Sequence, residues 1–427
     1  MPFISSMAKA RTVCSGTAQT NLKPTGAIWP EPSLKFAWHR QFPRSQMLPA
    51  AFIPRNCPPA PGDTVTLPFH TLDADVFGRA QALLDEEWLN RDADLAPVLP
   101  TVLARNVGQD WHKAGTFRHH LVGVARTLTL WRQPRDIRLL GLLHSVYGNA
   151  FVDLVKFDPA SERDRLRDLA GESAEHLVYL FCTASRTQFI QRVLAGALEP
   201  DGSLVLEKSG QQQVLAPYEV AAFLVVSMAD FIEQWFSWQD EIYSRSPNVQ
   251  RRPQAVHWAA SLWPGPMRPS GRMMHQIACM GRALQHPSLK GLLPMPPVFA
   301  ECSQPLAAAD EAAATALYWS VIQQDQPLVD LDVATAVLEQ AIRHNPWVGE
   351  PQMVLAQLYL SAGRNADAQA AAESALQLFS LWGNSWDKRV AWDAWVAWTR
   401  ILLQAAQTGN WPDRLDKLNN LALAPAA

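Results

Sequence analysis

Two histidine motifs and one distant aspartate are the residues of this 427-residue chain best suited to chemistry. His120 lies in Arg118-His119-His120-Leu121-Val122-Gly123-Val124-Ala125, His144 in Gly141-Leu142-Leu143-His144-Ser145, and Asp230 in Ser227-Met228-Ala229-Asp230. Two imidazoles and a carboxylate on separate helical segments suit a divalent ion of the Mn, Fe or Zn type. Three protein ligands leave coordination positions open to water, whose pKa a bound ion lowers. Each residue also has a plainer reading. A histidine closing an apolar helix, as His144 does after Leu142-Leu143, is usually a hydrogen-bonded core residue. His119 and His120 are about 100° apart on a helix, so one of them at most faces a given pocket. His120 is the choice, for its spacing to Val124-Ala125. Asp230 sits among Phe223, Leu224, Met228 and Phe231, where an unpaired carboxylate is costly and needs a partner.

The elements that must position these residues read as helices. Phe117, Leu121, Val124, Leu128 and Trp131 recur on one face of residues 115–131. Asp136 is placed to cap a following helix that ends at His144, and Ser161 to cap another. Gly171 opens a helix with Ala174, Leu177, Val178 and Phe181 inward. Leu204-Val205-Leu206, a turn at Lys208-Ser209-Gly210 and Val214-Leu215 predict a small β-hairpin inserted among helices. Pro217 opens the helix that carries Asp230. Residues 246–310 are Pro-rich with one helix, from Arg272 to about Gln285, and read as a cover over the helical core. From Glu311 the chain turns Ala-rich. Ala334 and Ala368 are 34 apart, as are Ala341 and Ala375, and Leu355, Tyr359 and Gly363 fall at matching places. That period is the tetratricopeptide signature of paired helices. Trp392, Trp395 and Trp398 suggest either an aromatic groove for a peptide or a buried seam, and burial is the commoner fate of such residues.

The expected division is a disordered Pro-rich basic leader (1–70), a helical domain (71–245), the covering segment (246–310), tetratricopeptide-like hairpins (311–415) and a tail (416–427). The expected fold class is all-α. A hydrophobic content of 48% against 18% charged fits sizeable cores. The net charge of −3 gives no field favouring nucleic acid or an anionic membrane, and no apolar run is long enough to span one. Five cysteines without CxxC spacing argue against a zinc ribbon or disulfide framework and fit a reducing, cytoplasmic setting. Residues 1–60 carry seven Lys/Arg and one acid, so an organelle transit peptide is the alternative.

The motifs together resemble the hydrolase half of guanosine tetraphosphate synthetase/hydrolases, in the HD-like superfamily. The pieces are Phe117-Arg118-His119-His120 through Ala125, Leu142-Leu143-His144-Ser145, Gly171-Glu172-Ser173-Ala174-Glu175-His176-Leu177-Val178 and Met228-Ala229-Asp230, in the family's order over roughly residues 110–240. The resemblance implies an HD-like helical domain with His120, His144 and Asp230 as metal ligands. It also exposes departures. Ser145 stands where the family has its second metal-binding letter, an aspartate, and Gly148 and Asn149 replace an acidic pair that orients the attacking water. Ser145-Val146-Tyr147-Gly148-Asn149 is similar to an uncharacterised branch carrying H-S-x-Y-G. The resemblance implies hydrolysis of a phosphorylated or nucleotide-type small molecule. Candidates for the catalytic group are Asn149, Asp153 and Glu233, although neutral Asn149 cannot act as a base. Arg118, Tyr147 and Arg163 are candidates for holding substrate, and Arg126, Arg165 and Arg167 are further cations within reach of a phosphate. Two alternatives stand beside the hydrolase. One is a catalytically inactive HD-like domain whose tetratricopeptide-like region binds a protein partner. The other is an HD-type iron oxygenase, disfavoured because two metals need the bridging aspartate that Ser145 replaces.

Overall fold

The computed structural model describes residues 74–85, 87–112, 115–148, 154–208, 210–234, 273–299, 306–322 and 330–411. The leader, the tail, most of the Pro-rich segment, and the candidates Asn149 and Asp153 lie outside them. The fold is all-α with a small β-hairpin insertion. Helices α1 (Ala74–Leu83), α2 (Trp88–Arg91) and α3 (Leu99–Leu103) lead to a two-stranded ribbon of β1 (Trp111–His112) and β2 (Gly115–Thr116). Then come α4 (Phe117–Leu130), α5 (Arg135–Leu143), α6 (Arg163–Ala170), α7 (Glu172–Thr183) and α8 (Arg186–Leu194). The expected hairpin follows as β3 (Leu204–Lys208) paired antiparallel with β4 (Gln211–Leu215), and α9 (Pro217–Gln234) returns across α4, α5 and α7.

Thr116 starts α4 by a capping box: its Oγ1 accepts from the His119 amide (3.3 Å), and His119 Nδ1 accepts from the Thr116 amide (3.4 Å). This fixes the helix phase, so Phe117, Leu121, Val124 and Leu128 are buried as expected and His120 with them, while His119 is exposed. Two expected caps are corrected. Asp136 lies inside the first turn of α5, whose cap residue is Pro134. Its carboxylate instead accepts from Ser173 Oγ (3.0 Å) and Tyr218 OH (2.8 Å), tying α5 to α7 and α9. Ser161 donates to Asp158 and leaves the cap position of α6 to Glu162. In both cases another side chain competes successfully with the helix amides: hydroxyls for Asp136, a carboxylate for Ser161.

The expected helix of the covering segment is α10 (Met273–Ala283), which packs on α8 and α9. Its first amides are capped from afar by Glu311, whose two oxygens accept from Met274 N and His275 N at 2.8 Å each. A short 3-10 turn, Pro297–Phe299, precedes α11 (Ala308–Ile322). The C-terminal region is a run of helical hairpins: α11 with α12 (Leu331–His344), α13 (Glu350–Ser361) with α14 (Asn365–Trp382), and α15 (Trp392–Thr408) on α13 and α14. Ala334, Ala341, Ala368 and Ala375 are all buried, which lets the paired helices approach closely.

The described residues all belong to one compact unit. The hairpins are packed on the first helices through α1 against α14, through Trp131 Nε1 donating to Leu381 O (3.1 Å), and through Gly383 against Leu130. The Trp-rich run is inward. Trp382, Trp386, Trp392 and Trp395 are buried, and the indole N–H groups of Trp382, Trp392 and Trp395 donate to the carbonyls of Trp347, Phe379 and Asp387. Buried tryptophan is tolerated where its N–H finds an acceptor, so burial excludes the peptide groove for these rings. Among the described residues no helix is long and apolar enough to cross a membrane.

Buried Glu350 pins the loop between α14 and α15: one of its oxygens accepts from Trp386 N (2.6 Å) and Asp387 N (3.0 Å). Asp387 in turn accepts from Tyr318 OH (2.7 Å) and is paired with Arg389.

Gly383 closes α14 at φ +63, and a Cβ there would lie 2.6 Å from Leu130 Cδ2. Gly383→Ala should therefore destabilise the protein by about 2 kcal/mol, from left-handed backbone strain and a clash at the seam. Urea unfolding measures this, and an unchanged midpoint would show that the seam contributes nothing. Burial pushes the carboxyls of Glu350 and Glu311 up from 4.5 to about 7. Each binds its proton more tightly folded than unfolded. The stability each gives is full below 4.5 and is lost as pH rises through about 7. Glu350→Gln should flatten the decline in unfolding midpoint across that window, by up to roughly 3 kcal/mol for a fully buried carboxyl. A decline identical to the wild type would assign the titration elsewhere.

Candidate metal centre

His120, His144 and Asp230 converge, all three buried, from α4, the end of α5 and α9. His120 Nε2 is 3.1 Å from His144 Nε2 and 3.4 Å from Asp230 Oδ1, and His144 Nε2 is 3.8 Å from the same oxygen. Atoms bound to one ion at about 2.0–2.2 Å stand on the order of 3.0–3.6 Å apart. The two shorter separations fall in that range, and the third is a few tenths longer. The group could hold a metal ion.

The far side of each ring decides what the near side offers. His144 Nδ1 is 2.8 Å from the carbonyl of Gly141, an acceptor only, so that nitrogen carries the proton. Burial, the leading cause, holds His144 down to about 4, so the ring is neutral near pH 7 and Nε2 is a lone pair. His120 Nδ1 meets the Glu233 carboxylate, again an acceptor. Its Nε2 faces that of His144 at 3.1 Å. Carboxylate or carbonyl behind an imidazole is how proteins fix the tautomer of a metal-ligating histidine.

Asp230 is oriented from behind as well. Arg186, buried at the first position of α8, donates to Asp230 Oδ2 (2.6 Å) and leaves Oδ1 facing the histidines. Ser185 caps that helix through its hydroxyl and so sets where Arg186 points. The Arg186 guanidinium also lies over the Phe181 ring, 4.4 Å from its centroid. Burial raises the Asp230 carboxyl, and the Arg186 guanidinium above all, with the two imidazoles beside it, more than reverses this, so it is held well below the ordinary range and is ionised. Gln234 completes the surround: its Nε2 is 2.9 Å from His120 Nε2, 3.4 Å from Asp230 Oδ1 and 3.0 Å from His112 Nε2. The His112 ring stacks obliquely 4.7 Å from that of His120.

Among the remaining candidates, Glu233 belongs to the centre, although its carboxylate is engaged behind His120 rather than free as a base. Gly123 makes room for it, since a Cβ there would lie 2.8 Å from Glu233 Cγ. Tyr147 and Arg163 meet elsewhere, at buried Glu175: Tyr147 OH donates to it (2.9 Å) and Arg163 holds it through Nε (2.7 Å) and Nη2 (2.9 Å). Arg118 is half-buried two residues before His120, on another side of α4. Ser145 is fully buried in the turn after His144.

His112, Arg186 and Gln234 were not legible as members. The one sequence signal pointing to Arg186 was the need of Asp230, on an apolar helix, for a cationic partner. The α4 and α9 spacings give no such sign for His112, which arrives on a two-residue strand.

A family model described as a domain of unknown function, DUF6817, matches residues 101–186. The matched stretch contains His120, His144 and Arg186 and stops before Asp230. No curated protein and no solved structure matches the chain.

Proposed function

We propose that this chain is a divergent HD-type metal-dependent hydrolase acting on a phosphorylated or nucleotide-type small molecule, with His120, His144 and Asp230 as ligands of a Mn, Fe or Zn type ion. One observation carries the reading. The Nε2 atoms of two imidazoles face each other at 3.1 Å, and the other nitrogen of each ring is held by an acceptor outside the pair. An ion seated there would be met by both nitrogens, and the ionised Asp230 oxygen adds a third ligand atom on the same side. A bound divalent ion supplies a water of lowered pKa and polarises a phosphoryl oxygen. The chain's own residues supply the rest. Glu233 and the Gly141 carbonyl hold the imidazole planes, and Arg186 holds the carboxylate so that Oδ1 alone faces inward. The Gln234 amide can donate to an oxygen entering beside His120. Phe181, with its ring centroid 6.0 Å from that of His144, keeps water from the back of the site.

The inactive HD-like reading has its own support in the Arg186–Asp230 pair. With Ser145 in place of a second carboxylate, the one remaining negative ligand is already neutralised by a guanidinium, which weakens the pull on a hard cation. In that reading the tetratricopeptide-like hairpins would carry the function through a protein partner.

Metal analysis separates the two. Wild type reconstituted with Mn, Fe or Zn should retain close to one ion per chain, and His144→Ala should lose it with helicity unchanged. A wild type that stays metal-free at full helicity would sink the hydrolase. The same loaded protein should release phosphate from a panel of nucleotides, and Asp230→Ala should not. Arg186→Gln tests the orienting pair. It leaves a buried carboxylate unpaired, which should lower the stability of metal-free protein by roughly 3–5 kcal/mol. Added metal should restore much of this, because an ion bound only by the folded state stabilises it. Restoration absent at saturating metal would mean that Asp230 is not a ligand.

A further inference from the structure

Outside the three-ligand group, two buried donors have no described acceptor, Arg126 Nε and Asn384 Nδ2, and a lysine stands with them. Arg126 is on α4, two turns beyond His120 on the side that Gly123 opens to Glu233. Its guanidinium stacks on Trp392 of α15, 4.8 Å from the ring centroid. It forms no ion pair among the described residues, and its Nε is buried without a hydrogen-bond partner. Lys388 comes from the loop between α14 and α15. Its ammonium donates to Asn384 Oδ1, and Asn384 Nδ2, in a residue only 5% exposed, has no acceptor. Buried donors left without acceptors are uncommon and call for an occupant.

Arg126 stacks on the first residue of α15 and Lys388 lies in the loop just before it, so the two are within electrostatic reach of each other. Glu233 acts on both Arg126 and Lys388, and Arg126 acts on Lys388. Glu233 is itself committed to His120 Nδ1. Asp393 also acts on Arg126, but it lies on the exposed side of α15. Glu350 and Asp387 act on Lys388, yet both have partners of their own: backbone amides for Glu350, Arg389 and Tyr318 for Asp387. Burial lowers Lys388 to about 8, so it is still largely protonated near neutrality. The loop that carries it is fixed by Glu350, so the ammonium is held in place rather than swinging on a free stem.

We propose that Arg126, Asn384 and Lys388 form an anion subsite at the seam between the first helices and the C-terminal hairpins, which takes a phosphate group of the ligand beside His120. A planar guanidinium, an ammonium and an amide N–H are donors that match the several oxygens of a phosphate. The consequence is that the hairpin region contributes directly to ligand binding. The position of the reacting group rests on the hydrolase reading above, while the binding of the anion does not.

Calorimetric titration of the full chain with pyrophosphate tests this on wild type, Arg126→Gln, Lys388→Met and His144→Ala, with metal content measured in parallel. Losing one charge-assisted contact should weaken pyrophosphate binding about tenfold or more in each of the first two variants. Their metal content should equal that of wild type. His144→Ala should lose metal and keep the binding of pyrophosphate to metal-free protein. A second measurement needs no variant: acylation of Lys388 in wild type, mapped by mass spectrometry, should be suppressed by pyrophosphate. Binding that is absent in wild type or equal in all four proteins overturns the subsite. So does labelling of Lys388 that pyrophosphate leaves unchanged. Metal-free wild type whose pyrophosphate binding depends on Arg126 and Lys388 would keep the subsite and remove the hydrolase.

Discussion

The architecture turns on the back-side hydrogen bonds of two imidazoles. Glu233 behind His120 and the Gly141 carbonyl behind His144 commit one nitrogen of each ring, and so turn the other two toward each other. Everything around the site serves that arrangement. α5 must end where its own carbonyl can turn back on His144, α9 must lie close enough for Glu233 to pass over Gly123, and α8 must begin where Arg186 reaches Asp230. Burial makes the arrangement costly to leave unsatisfied, because low polarity raises the energy of any unpaired polar atom and of an isolated carboxylate.

The helical hairpins are part of the same construction. Trp131 donates across to Leu381, Leu130 fills the space left by Gly383, and Arg126 stacks on Trp392. All three first-half residues lie on the last turns of α4 or just beyond, the helix that opens with His120. Helix α4 therefore has two duties: its start supplies a ligand candidate, and its end is the surface on which the hairpins settle.

Much of the fold was legible because it is local. Apolar spacing gave α4, the helix from Pro217 and the inserted hairpin, and the recurrence of Ala334 with Ala368 and Ala341 with Ala375 gave the paired helices. The His120, His144 and Asp230 group was legible through motif order, and the three meet. What escaped was contributed by tertiary contact. Thr116 rather than Asp136 or Ser161 makes the side-chain cap, because Asp136 and Ser161 have stronger partners, at Tyr218 and Asp158, that no local pattern displays. Tyr147 and Arg163 stand beside the motif in sequence, yet both turn to Glu175. Lys388 is distant in sequence and comes within electrostatic reach of Glu233 and Arg126 only because the hairpins fold back.

The capping box at Thr116 has a bearing on how the adjacent histidines should be aligned and engineered. His119 spends its ring on the Thr116 amide, and His120 is thereby the one turned inward. The two are a start signal and a site residue that happen to share a letter. Removing or inserting a single residue between Thr116 and His120 would rotate the rest of α4 by about 100°. A comparison that slid by one position would still place histidine against histidine while matching a cap to a ligand. Reading the pair by its cap, rather than by the doublet itself, settles which histidine is equivalent to which.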